Sequence, residues 1–64
     1  MNVEDIRGEI QIIAEVENDA DMHMLEDGLH VAVLKAIAGG APNAAELAAE
    51  ALKTREIEFT RWFS

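Results

Sequence analysis

Four residues near the middle of the chain have the types and spacing of a metal site: Asp19, His23, Glu26 and His30. On an α-helix at about 100° per residue they fall within about a 60° sector of one face. Histidine with Asp or Glu three and four residues away is a ligand arrangement suited to zinc or iron. Carboxylate-bridged di-metal sites, however, recruit several helices, and no Glu-x-x-His occurs in this chain. The four residues therefore read as a polar edge beside a core, with Glu26 and His30 as an ordinary helical pair. Neither a metal nor another cofactor is expected.

Nucleophilic catalysis has little raw material. There is no Cys or Tyr, the only Ser is Ser64, and the only Thr residues are Thr54 and Thr60. Two histidines among many carboxylates could serve as an acid/base pair, but 64 residues leave little room for a pocket of several hundred Å3. No Walker or dinucleotide glycine motif occurs; Gly39-Gly40 reads as a helix stop. A binding protein is expected, not an enzyme.

The charge is segregated. Residues 1–27 hold nine acids and one base, Arg7, so the whole net charge of −8 lies there. Residues 28–64 hold four acids and four bases, and no Lys or Arg falls between Arg7 and Lys35. Such a distribution repels nucleic acid and anionic membranes and attracts basic surfaces or cations. It also keeps a small protein in solution. Glu15, Glu17, Asp19, Asp21, Glu26 and Asp27 span a helix end, a turn and a helix start, and are the expected partner-binding residues. Carboxylates four residues apart on a helix lie about 6 Å apart along its axis. That is close to phosphate separations on a strand, so a helix edge with an acidic turn can imitate a nucleic-acid backbone. A basic groove would meet it with electrostatic steering that weakens with salt.

The elements that must position these residues read as helices. Segment one, about Val3 to Val16, carries Val3, Ile6, Ile10 and Ile13 in one stripe, with Asn2 as cap and Asp5 at the capping-box position. Gly8 dissents, and Glu9 to Glu17 nearly alternates, so a strand from Gly8 is the competing reading; the longer pattern favours helix. Ile12 and Val16 then fall off the main stripe and either widen the buried face or lie at a subunit contact. Segment two, about Asp21 to Ala38, has Asn18, Asp19 and Asp21 as candidate caps. Its broad apolar face is Met22, Leu25, Leu29, Ala32, Val33, Ala36 and Ile37, and Gly39-Gly40 then Pro42 end it. Segment three, Ala44 to about Lys53, is capped by Asn43 with Glu46 in the box position, and turns Leu47, Ala48, Ala51 and Leu52 inward. Segment four, Arg55 to Phe63, has Thr54 as a cap; Ile57-x-Phe59 points to a strand there, while Phe59, Trp62 and Phe63 also fit a short helix. All three aromatic residues lie in it, so its removal should damage the core.

The expected fold is all-α: one domain over residues 1–64, a small bundle of three to four short helices. Without cysteine it has no disulfide, and a chain this short is marginal alone. A compact monomer or small homodimer is expected. No apolar run approaches the ~20 residues of a membrane span, and the acidic start lacks the basic residues of a signal peptide. A cytoplasmic protein is expected.

The stretch Val33 to Ala48, about a quarter of the chain, resembles the first half of a helix-turn-helix regulator: an apolar helix, a Gly-containing turn, then Glu46-Leu47-Ala48. The segment after Leu52 would have to be the recognition helix, and it mixes Lys53, Arg55 and Arg61 with Glu56 and Glu58. Phosphate contacts need several bases on one face, so direct DNA binding is not expected. Over most of its length the chain is similar to short acidic proteins of phages and other mobile elements. The likeness rests on the acidic turn before a His-containing helix (Asp19 to His30), on Leu-Lys-Ala-Ile-Ala-Gly-Gly-Ala-Pro, and on Ala-Leu-Lys-Thr-Arg-Glu-Ile-Glu-Phe-Thr-Arg-Trp. That class includes anti-CRISPR and anti-restriction inhibitors, several of which mimic DNA. The resemblance implies an inhibitor that blocks a basic nucleic-acid-binding surface of a host protein. The alternatives are a degenerate helix-turn-helix regulator and a small metal-binding helical protein using His23, Glu26 and His30.

Overall fold

The computed structural model describes residues 1–57, whose regular elements are three α-helices and one 3-10 turn. Helix α1 is Val3–Glu15, α2 is Asp19–Ala38, α3 is Ala44–Ala51, and the 3-10 turn is Leu52–Glu56. The bundle expectation holds, and segment one is a helix despite Gly8. The 3-10 turn spans the boundary expected between segments three and four: Arg55 and Glu56 of segment four lie in it, followed by extended Ile57. The rest of that segment, with its three aromatics, lies outside the described residues.

Local chemistry explains where the helices begin and end. Asn2 and Asp5 form a reciprocal capping box, each side chain accepting from the other's backbone N–H at 2.9 and 3.0 Å. Asn18 caps α2 by accepting from the Asp21 N–H at 3.1 Å, which starts that helix two residues earlier than its apolar pattern does. Helix α2 stops in a Schellman arrangement. The Gly40 N–H donates to Ile37 O and the Ala41 N–H to Ala36 O, with Gly40 at φ +93°. A side chain disfavours that backbone, so glycine belongs there. The cap expected for α3 does not form: Asn43 makes no side-chain capping bond.

The three helices pack pairwise around one core. Ile6 and Ile13 of α1, Met22, Leu29 and Val33 of α2, and Leu47 and Ala51 of α3 are buried, with Val3, Ile10, Val16, Ala36, Ile37 and Ile57 packed against them. The stripe expected of α1 is the one observed, with Ile12 left half exposed outside it. Two expectations of inward facing fail. Leu25 is exposed because Met22, Leu29 and Val33 centre the buried face of α2 away from it. Leu52 is 63% exposed because the backbone tightens to 3-10 there, which swings it off the α3 stripe. Among the described residues no helix is long and apolar enough to cross a membrane.

Candidate functional site

The turn from α1 to α2 places Glu15, Glu17, Asp19 and Asp21 within seven residues, all exposed. Glu15 ends α1, Glu17 lies in the connection, and Asp19 and Asp21 open α2, where a helix N-terminus favours negative charge. Asp27 is exposed one to two turns further along α2, its carboxylate 3.4 Å from His23 Nε2. Five of the six expected partner-binding residues are thus on the surface. Glu26 is the exception and is a correction: it is 2% exposed, on the core face of α2. It stands four residues after Met22, three before Leu29 and seven before Val33, so helix geometry puts it among them. A partner cannot dock on it.

Two cations are engaged away from the acidic turn, on Glu50. Glu50, 7% exposed on α3, draws in Lys53 Nζ at 3.0 Å and Arg7 Nε at 3.4 Å. Arg7 also bonds Glu4 at 2.9 Å. The Lys53 hydrogen bond, its largest influence, holds the Glu50 carboxyl below its ordinary range against the opposing effect of burial, and Arg7 adds to it. Arg7 in turn is raised, chiefly by its hydrogen bond to Glu50. This three-residue group ties α1 to the junction of α3 and the 3-10 turn. Sequence reading misses Glu50, although Lys53 three residues later and Leu47 three residues earlier mark it as a paired acid beside a buried stripe.

The residues of the metal alternative do not converge. His30 Nε2 lies 3.0 Å from Thr54 Oγ1 and 3.3 Å from Ala51 O, and Thr54 donates to Ala51 O at 3.2 Å. A carbonyl only accepts, so Nε2 carries the hydrogen and points into α3. His23 instead meets Asp27, and Glu26 is buried. Among the described residues no group of three or more His, Asp or Glu is placed to hold a metal ion. Thr54, expected to cap a helix, is a fully buried partner of His30.

For the helix-turn-helix alternative, α2, the Gly39-Gly40 turn and α3 occur in the expected order. In the position of a recognition helix stands the 3-10 turn Leu52–Glu56, whose Lys53 is held by Glu50. Grooves of about 490 and 440 Å3 open beside α1, more room than the chain's length suggests. Another of about 280 Å3 between α2 and α3 is lined mostly by apolar groups, among them Leu34, Ile37, Ala48 and Leu52, with His30 at its edge. Comparison with family models, curated proteins and solved structures finds no match for this chain.

Proposed function

We propose that this chain is a non-enzymatic acidic binding protein whose α1–α2 turn docks on a basic, nucleic-acid-binding surface of another protein. The most specific form is an anti-CRISPR-like inhibitor, of the kind mobile elements carry, that occupies such a surface on a host protein in place of nucleic acid. The observation that carries this reading is the exposure of Glu15, Glu17, Asp19 and Asp21 in one short span, while Arg7 and Lys53 are bound to Glu50. Asp27 extends the same negative surface along α2. The turn is held by α1 on one side and by the Asn18 cap on the other, so its carboxylates are presented by ordered backbone. Pre-positioned charge costs less ordering on binding.

The test is an affinity pull-down from host lysate at low and at moderate salt, read by mass spectrometry. A nucleic-acid-handling protein retained at low salt and lost as salt rises supports the reading. The quadruple variant Glu15→Lys, Glu17→Lys, Asp19→Lys and Asp21→Lys should then lose that protein while keeping its helical circular dichroism. Retention by the variant overturns the reading, and a blank at both salts leaves the acidic turn as a solubility feature.

A further inference from the structure

Helix α2 is apolar on the side facing away from the core as well as on the side facing it. Ala20, Met24, Asp27, Val31, Leu34 and Ala38 are all exposed, Met24 at 68% and Leu34 at 64%. Their spacing alternates four and three residues from one end of the helix to the other. That is the a/d repeat of a coiled-coil seam, with Asp27 its one charged member. The core face uses a different set, centred on Met22, Leu29 and Val33, so the outer stripe has no packing role within the described residues.

From this stripe we infer that α2 pairs with α2 of a second copy of this chain, antiparallel, into a homodimer. The stripe is symmetric under reversal: about the level of Leu29, Ala20 maps onto Ala38, Met24 onto Leu34 and Asp27 onto Val31. An antiparallel pair therefore sets small against small at the ends and Met24 against Leu34, beside the apolar groove that Leu34 and Leu52 line. A parallel pair would set Asp27 against Asp27 and bring both acidic turns together. Charge selects the same orientation. Asp21 and Lys35 flank one side of the stripe, both exposed, and Lys35 has no ion-pair partner among the described residues. In the antiparallel pair each Asp21 stands within a turn of Lys35 of the other copy, twice by symmetry. Gly28, midway between them on the same flank, meets its own counterpart. A Cβ there would touch nothing among the described residues, so a second helix has room to approach at this point.

An interface one 20-residue helix long belongs to the small, weak class. The test is sedimentation velocity of the full chain from about 10 µM to about 1 mM, the range in which such contacts dissociate. The expected result is a shift from monomer to dimer across that range, abolished by Val31→Lys with the helical signal intact. If Val31→Lys loses that signal, Leu34→Gln carries the same test. Asp21→Lys and Lys35→Glu should each weaken the dimer about three- to tenfold, and the two together should restore it. A monomer throughout overturns the inference, and one whose Tm falls with Val31→Lys gives the stripe to residues 58–64 of the same chain. A dimer indifferent to Val31→Lys, or one the double reversal fails to restore, overturns it too. None of these readouts depends on a host partner, so failure of the dimer and failure of the inhibitor reading are told apart. In the dimer Asp27 lies in the seam and Asp21 beside it, which leaves Glu15, Glu17 and Asp19 as the docking acids.

Discussion

His30 and Thr54, 24 residues apart, meet at 3.0 Å where α2 crosses the end of α3, and the Ala51 carbonyl accepts from both. The fully buried Thr54 hydroxyl is satisfied twice, which is what makes a polar group tolerable at that depth. Thr54→Val should lower stability by about 1 kcal/mol, the usual net worth of such a bond. His30→Ala combined with it should cost less than the sum of the two, because they share one network. Urea midpoints of the four proteins in the cycle give the coupling directly.

Glu50 supplies a pH dependence. Its folded-state pKa is lowered, so the stability it brings is complete above the ordinary value of 4.5 and is lost as pH falls through the folded value. The difference in Tm between the natural chain and Glu50→Gln isolates this effect. That difference should be constant through neutral pH and shrink once pH drops below 4.5.

Two leucines five residues apart should respond very differently to truncation. Leu47 is fully buried between the helices, and Leu47→Ala should cost about 2–5 kcal/mol. For a domain this small that is most of its stability. Leu52 is largely exposed, and Leu52→Ala should stay within about 0.5 kcal/mol. Thermal melts by circular dichroism separate the two outcomes.

Glycine substitutions should have opposite signs at two sites. At Gly8 an added Cβ meets nothing among the described residues, so Gly8→Ala should stabilise α1 by up to about 1 kcal/mol. At Gly40 the φ of +93° penalises any Cβ, so Gly40→Ala should destabilise by about 1 kcal/mol although space is free. Denaturant midpoints, read against the natural chain, carry both signs.

The backbone is readable from sequence because its signals are local. Asn2 with Asp5, Asn18 ahead of Asp21, and Gly39-Gly40 each act within a few residues, and the 3.6-residue stripe of α1 outweighs the short alternation around Ile12. The side chains at the site are less readable. Glu26 reads as surface by its charge, yet its spacing from Met22, Leu29 and Val33 fixes it in the core face. Leu25 and Leu52 read as core by their hydrophobicity. In α2 both faces are apolar, so composition does not say which one turns inward; packing of α1 and α3 decides that. His30 with Thr54 and Arg7 with Glu50 are long-range pairs for which the sequence carries no local mark.

The Arg7–Glu50–Lys53 group has a consequence for motion before contact. It gathers two of the chain's five cations near the start of α1, about 12 Å along that helix from Glu15. Seen from a distance the group is close to self-neutral, two cations against Glu50 and Glu4. The acids of the α1–α2 turn lie apart from it, so a positively charged surface would exert its pull mainly there, and the resulting torque would turn the α1–α2 end forward before contact.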